Sequence, residues 1–94
     1  MSIKSVLISN NAKKDLRKVP LHILDKLDTW VDAVERDGLE EIMKIPGYHD
    51  EPLHGKRKGQ RSIRLSKGYR AIYIISRSGA IKFISVEEVS KHEY

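Results

Sequence analysis

The sequence predicts an α+β domain in which helices cover one face of an antiparallel sheet. Three observations support this prediction: an apolar stripe at helical spacing in the first half of the chain, three segments rich in Ile, Val and Tyr in the second half, and short glycine-containing loops between those segments. A chain of 94 residues has room for one hydrophobic core only, so residues 1–94 are expected to form a single domain.

The first half of the chain predicts one strand followed by two to three helices. Ile3 to Ile8 is a short strand candidate, and Ser9 is suitable as the N-cap of the first helix. The helices are expected over Ala12–Lys18, Pro20–Asp37 and Leu39–Ile45. The second helix carries an apolar stripe at spacings of three and four residues, formed by Leu21, Leu24, Leu27, Val31 and Val34.

The second half predicts an antiparallel meander of three strands, over Arg61–Leu65, Tyr69–Ser76 and Ala80–Val89. The connecting loops are Ser66–Lys67–Gly68 and Arg77–Ser78–Gly79, and both have glycine in the third position. This pattern suits three-residue hairpin loops in which the glycine is left-handed. Such a loop places Arg64 opposite Arg70 on one face with Ser62, whereas a two-residue turn would place the two arginines on opposite faces.

The charge is distributed unevenly along the chain. The net charge is +5, yet residues 21–51 hold nine acidic and three basic residues, whereas residues 54–70 hold seven basic residues and no acid. A solvated surface is the structural interpretation of such a run. Because neighbouring arginines on one sheet face repel each other, we interpret the basic stretch as a polyanion site, most simply for nucleic acid.

Composition excludes several other classes of protein. The chain has no cysteine, so disulfides and thiolate metal sites are excluded, and a reducing compartment is expected. No apolar run approaches the roughly 20 residues of a membrane-spanning helix, and the first residues lack the pattern of a secretory signal. The expected location is therefore the cytoplasm.

The hairpin region resembles the RelE/ParE toxin superfamily. Pro52–Leu53–His54–Gly55 is similar to the family's P-L-x-G turn, and the segment from Gly59 to Tyr73 is similar to its hairpin of the kind R-I-x-x-G-Y-R-x-x-Y. The resemblance implies the toxin of a type II toxin–antitoxin system. In the RelE, YoeB and HigB-like branch this is a ribosome-dependent endoribonuclease, which cleaves mRNA without a metal ion or cofactor by attack of the ribose 2′-hydroxyl on the scissile phosphate.

The resemblance also implies partners. These are a cognate antitoxin protein, the ribosome and mRNA, with no membrane and no small-molecule cofactor. The alternative is the ParE-like branch, whose members do not cleave RNA and inhibit DNA gyrase by binding to it. In the RelE branch the last strand carries a further arginine, whereas this chain has Glu87, Glu88 and Val89 there.

The family pattern assigns roles to particular residues. Arg70 and Arg64 match the hairpin arginines that neutralise the phosphorane, and Glu51 matches the general base that precedes the P-L turn. His92 matches a C-terminal general acid, and Tyr94 matches a terminal aromatic residue that stacks on the substrate base. The basic residues expected to hold the RNA backbone are Lys56, Arg57, Lys58, Arg61 and Lys67.

Each of these roles has a structural alternative. Arg70 could pair with Glu87 or Glu88 on a neighbouring strand. Arg64 could be a solvated strand residue, and Glu51 could be a solvated loop carboxylate. His92 could belong to a frayed tail, and Tyr94 could dock on the sheet edge. A metal site at His49 and His54 is not expected, because their spacing matches no usual ligand pattern.

Overall fold

A computed structural model describes residues 2–91 of the chain. The helices are α1 (Asn10–Leu16), α2 (Leu21–Asp37) and α3 (Leu39–Ile42), and short 3₁₀ turns cover Pro46–Tyr48 and Gly55–Arg57. The strands are β1 (Val6–Ile8), β2 (Glu51–Pro52), β3 (Arg61–Arg64), β4 (Tyr69–Ser78) and β5 (Ile81–Lys91). The predicted α+β class is confirmed. No helix within residues 2–91 is long and apolar enough to cross a membrane.

The sheet is mixed and has the strand order β1-β5-β4-β3-β2. The predicted meander forms its centre, and β1 joins β5 in parallel. The first strand was predicted from Ile3, but it begins at Val6, because the Ile3 carbonyl accepts a hydrogen bond of 2.8 Å from the backbone N–H of Leu39 in α3. Strand β2 was not predicted, since two residues are too few to show a period.

The core lies between the helices and one face of the sheet. The residues of α2 that are buried there are Ile23, Leu27, Trp30, Ala33 and Val34. The ring centroids of Trp30 and Tyr73 are 5.4 Å apart, which places the largest helix side chain over the centre of β4. The predicted stripe is wrong at Leu21, which is 71% exposed, because the contact with the sheet begins only at Ile23.

The two hairpin loops differ from each other. The first has the predicted register, since the Leu65 N–H donates to the Tyr69 carbonyl at 2.9 Å and Arg64 lies opposite Arg70. The left-handed glycine predicted at Gly68 is wrong, and instead the Gly68 N–H donates to Ser66 Oγ. The second loop is a two-residue turn, Gly79–Ala80, rather than the predicted three residues, because β4 continues to Ser78; Gly79 has a φ of 61°.

Candidate active site

The β3–β4 hairpin places two arginines at directly opposed positions on the face of the sheet that the helices leave uncovered. Arg64 and Arg70 are direct cross-strand partners, and Ser62 lies two positions before Arg64 on the same face. Ile63, Ala71 and Tyr73 on the opposite face are buried in the core. Since side chains alternate along a strand, the core-facing residues fix the direction of the two arginines. Like charges at directly opposed positions destabilise a sheet, so the presence of two arginines at these positions is not explained by a contribution to stability.

Arg70 is the less exposed of the two arginines, and its guanidinium has no carboxylate partner among residues 2–91. Its Nε is buried and makes no hydrogen bond. Arg70 does not form the alternative ion pair with a carboxylate of β5. Glu88 Oε1 pairs with Arg57 at 3.2 Å, and Glu87 Oε2 accepts a hydrogen bond from Ser85 Oγ at 2.8 Å. A buried donor without an acceptor costs free energy, so an external acceptor at this position would be bound favourably.

A groove of about 60 Å³, open to solvent, lies beside this pair. It offers room for a few water-sized groups, about what a phosphodiester needs. Its lining combines cations, a carboxylate, an imidazole, hydroxyls and an aromatic ring, contributed by His49, Glu51, Ser62, Arg64, Ser66, Tyr69 and Arg70. The groove therefore holds groups that can neutralise an anion together with groups that can transfer protons.

Strand β2 brings Glu51 to the groove. Glu51 pairs with Ser62 in antiparallel register, which places its side chain on the face shared by Arg64 and Arg70. Its side chain is exposed, and it lines the groove. Three of the four residues predicted to be catalytic, Glu51, Arg64 and Arg70, are thus assembled around one groove.

Asp50, next in the chain to Glu51, faces the other way. Its side chain is only 1% exposed, and its two oxygens accept from Arg61 Nε at 2.7 Å and from the Tyr73 hydroxyl at 2.5 Å. Burial, and secondarily the hydrogen bond to Asp50, raise the pKa of Tyr73 far above its ordinary value. We refer to Asp50, Arg61 and Tyr73 as the Asp50 cluster. Its hydrogen bonds connect the segment before β2 to both strands of the hairpin, β3 through Arg61 and β4 through Tyr73.

The predicted RNA-backbone residues divide into two groups. Lys56 and Lys58 are exposed in and just after the Gly55–Arg57 turn, and Lys67 is exposed in the hairpin loop. Arg57 and Arg61 are less exposed, and each is paired with a carboxylate: Arg57 pairs with Glu88 across the open face, and Arg61 belongs to the Asp50 cluster. A guanidinium held by a carboxylate is less available for a phosphate. The residues most exposed for contact with an RNA backbone are therefore Lys56, Lys58 and Lys67.

Two predicted residues, His92 and Tyr94, lie outside the described residues. The sequence suggests no role for His49 beyond a metal ligand, which is not expected, and the structure places His49 in the groove. The alternation of His49, Asp50 and Glu51 is the signal that could have indicated it. Because side chains alternate in an extended segment, a buried Asp50 predicts that His49 and Glu51 both point to the solvent-exposed side.

Comparisons with known proteins give the fold. No family model and no curated protein sequence matches the chain. Among solved structures, YafQ from E. coli has a TM-score of 0.73 at 18% identity, with 95% of this chain and 93% of that chain covered. The YoeB/ParE toxin from Agrobacterium tumefaciens has a TM-score of 0.67 at 19% identity, with 95% of this chain and 99% of that chain covered.

A third similar structure is the toxin–antitoxin complex RelBE2 from Mycobacterium tuberculosis, with a TM-score of 0.68, 21% identity, and coverage of 96% of this chain and 99% of that chain. The resemblance inferred from the hairpin motif thus agrees with the whole fold. The chain has the fold of the RelE/ParE toxins, with an N-terminal strand, three helices and a mixed five-stranded sheet.

Proposed function

We propose that this protein is the toxin of a type II toxin–antitoxin system and that it cleaves mRNA on the ribosome without a metal ion. The observation that carries the proposal is the Arg64–Arg70 pair beside Glu51, with the buried Nε of Arg70 lacking an acceptor. Two cations with no carboxylate partner within residues 2–91, next to a carboxylate that can accept a proton, suit a reacting phosphodiester.

The reaction uses these groups as follows. Glu51 accepts the proton of the ribose 2′-hydroxyl, and the 2′-oxygen attacks the adjacent phosphorus. Arg64 and Arg70 neutralise the extra negative charge of the pentacovalent phosphorane, and guanidinium groups match the geometry of phosphate oxygens. The 5′-oxygen leaves with a proton from a general acid, for which the family resemblance suggests His92. The products are a 2′,3′-cyclic phosphate and a 5′-hydroxyl.

The substrate would extend beyond the groove along the basic surface. Lys56, Lys58 and Lys67 are exposed around it, so they are suited to hold neighbouring phosphates. Tyr94 is proposed to stack on a base, as the resemblance suggests. Such contacts set affinity and its dependence on salt rather than the chemical step.

The proposed partner that silences the protein is an acidic antitoxin. Two of the similar structures are toxin–antitoxin complexes, RelBE2 and DinJ–YafQ. The basic, uncovered sheet face offers charge complementarity to such a partner. Both the toxin and its antitoxin would act in the cytoplasm, where ribosomes are found.

Induced expression of the chain without an antitoxin tests the proposal. Wild type is expected to arrest growth and to generate mRNA fragments with 5′-hydroxyl ends inside coding regions. Arg70→Ala is expected to reduce cleavage by roughly 10²–10³-fold, as for loss of one preorganised donor to a developing anion. The matched control is Arg77→Ala, at an exposed arginine near the far end of the same strand. Equal cleavage by Arg70→Ala and wild type would contradict the assignment.

One observation favours the ParE-like alternative. The last strand carries Glu87 and Glu88 where the RelE branch has a further arginine, which removes one phosphate cation. In that case the protein would inhibit DNA gyrase by binding it, and intact mRNA would accompany the SOS response and double-strand DNA breaks. The same induction experiment separates the two functions, because only the ribonuclease produces 5′-hydroxyl mRNA ends.

A further inference from the structure

His49 occupies an unusual position at the edge of the groove. It follows the Pro46–Tyr48 turn and has left-handed backbone angles, with φ 47° and ψ 47°. Within residues 2–91 it is the only residue other than glycine with a positive φ. Non-glycine residues adopt this conformation infrequently, and it is concentrated at functional sites, where the surrounding structure enforces it.

The residues before and after His49 in the chain are both held by contacts with the rest of the protein, and these contacts maintain its backbone conformation. Before it, the backbone N–H of His49 donates to the Pro46 carbonyl at 3.1 Å, and Tyr48 is buried in the core. After it, Asp50 is fixed by Arg61 and the Tyr73 hydroxyl. His49 is therefore an exposed side chain on a backbone that is anchored at both neighbouring residues.

The Asp50 cluster also explains why His49 and Glu51 come together. Asp50 points into the protein, and both of its neighbours line the groove. Two residues of chain span at most about 7 Å, so one imidazole and one carboxylate can reach the same phosphodiester. Of the three histidines within residues 2–91, which are His22, His49 and His54, only His49 lines this groove.

We propose that His49 is a catalytic residue of this groove and that its imidazolium is the general acid of the RNA cleavage, in the role that the family resemblance gives to His92. The inference rests on the proposed function. In the step, Glu51 takes the 2′-hydroxyl proton, the bond from the 2′-oxygen to phosphorus forms, and the bond from phosphorus to the 5′-oxygen breaks. The His49 imidazolium gives its proton to that leaving oxygen and becomes neutral. The Asp50 cluster holds His49 and Glu51 in place as positioning residues.

The test compares two leaving groups. The mRNA bond cut by the wild-type protein is first mapped on programmed ribosomes, and the same mRNA is then made with sulfur in place of the 5′-oxygen at that bond. A thiolate leaves without a proton, because thiols are far more acidic than alcohols. A variant that lacks the general acid should therefore cleave the oxygen-linked mRNA slowly and the sulfur-linked mRNA at the wild-type rate.

The chosen variant is His49→Asn, because asparagine tolerates left-handed backbone angles and so keeps the local fold. It is expected to cleave the oxygen-linked mRNA about 10²–10⁴-fold more slowly than wild type, and the sulfur-linked mRNA at near the wild-type rate. The matched control His22→Asn, at an exposed histidine in the first turn of α2, should behave as wild type on both. Glu51→Gln should be slow on both, since the attacking 2′-hydroxyl is the same.

The contrary results are distinguishable. If His49→Asn cleaves the oxygen-linked mRNA as fast as wild type, or is slowed equally on both linkages, His49 is not the general acid, while the proposed function stands. A selective sulfur rescue of His92→Asn, with none for His49→Asn, would assign the acid to the tail instead. If wild type cleaves neither RNA, the proposed function fails and this inference fails with it.

Discussion

Two arginines of β3, Arg61 and Arg64, have opposite electrostatic surroundings: Arg61 is paired with a carboxylate, and Arg64 lies opposite another arginine. Arg61 and Arg64 are three positions apart on β3, so they point to opposite faces of the sheet. Arg61 meets Asp50, whose side chain is almost fully buried, and the Tyr73 hydroxyl completes that carboxylate's hydrogen bonding. Arg64 meets Arg70, and neither has a carboxylate partner within residues 2–91.

Arg61 thus stabilises the fold through its carboxylate partner, whereas Arg64 and Arg70 are available to a ligand. In the Asp50 cluster, charge and hydrogen bonding are satisfied within the protein, so the cluster adds rigidity. In the arginine pair, like charges lie opposite each other and the buried Nε of Arg70 makes no hydrogen bond, so a bound anion would relieve both costs. Substitutions in the two groups should therefore change the free energy of unfolding in opposite directions.

Asp50→Asn is expected to lower the free energy of unfolding by about 3–5 kcal/mol, because it leaves the Arg61 guanidinium beside a neutral group in a partly buried site. Urea denaturation followed by circular dichroism measures this loss. The control is Asp37→Asn, which removes the exposed ion pair with Arg36 and should leave stability unchanged within error. A similarly small change for Asp50→Asn would contradict the structural role given to the cluster.

Tyr73→Phe removes the hydroxyl that donates to Asp50 and is expected to cost about 1.5–3 kcal/mol, the range for a hydrogen bond to a charged group. It should also change the alkaline limb of the stability curve. The pKa of Tyr73 in the folded protein lies above the value of about 10 in the unfolded chain, so its contribution is complete below pH 10 and declines as pH rises beyond it. The difference in stability between wild type and Tyr73→Phe should therefore shrink above pH 10, and a constant difference would be inconsistent with the raised pKa.

Arg70→Met should stabilise the protein while it reduces cleavage as strongly as Arg70→Ala does. Methionine keeps much of the length of the arginine side chain and removes the buried Nε that lacks an acceptor, and such unsatisfied donors cost about 1–3 kcal/mol. We expect a gain toward the lower end of that range, measured as a shift of the urea midpoint without a change in the slope. A loss of stability would mean that Arg70 has a structural role that the arginine pair does not suggest.

Arg64→Ala should have the smallest effect and the same sign as Arg70→Met. Arg64 is exposed, so removal of the opposed like charge is expected to raise stability by a few tenths of a kcal/mol. Added salt should reduce this gain because it screens the repulsion in wild type. A gain that does not vary with salt would show that the two guanidinium groups do not repel each other appreciably.

Much of the fold could be predicted because it depends on local patterns. The helix over residues 21–37 and the long strands of the meander follow from period and composition. Loop length alone determined that Arg64 lies opposite Arg70, although the glycine conformation assumed for that loop was wrong. The stripe on α2 was displaced toward Ile23 and Trp30, because periodicity gives the face of a helix only to within about one residue.

The candidate site could be predicted only in part. Glu51, Arg64 and Arg70 were identified through the family motif, and the structure brings them to one groove. Arg57 and Arg61 were expected at the RNA backbone, but both pair with carboxylates of the chain. The position of His49 in the groove could not be predicted, because the alternation of His49, Asp50 and Glu51 is informative only once Asp50 is known to be buried.

Residue spacing alone is enough to predict the class of the fold, the register of the central hairpin and the face on which its two arginines lie. Each of these depends on residues that are close together in the chain. Which charges are paired and which are available depends instead on how distant segments pack against each other. Asp50 and Tyr73 are 23 positions apart, and Arg57 and Glu88 are 31 apart, so their hydrogen bonds depend on how the strands pack. Burial and pairing are properties of the whole fold, and they determine whether a given arginine, carboxylate or imidazole serves stability or chemistry.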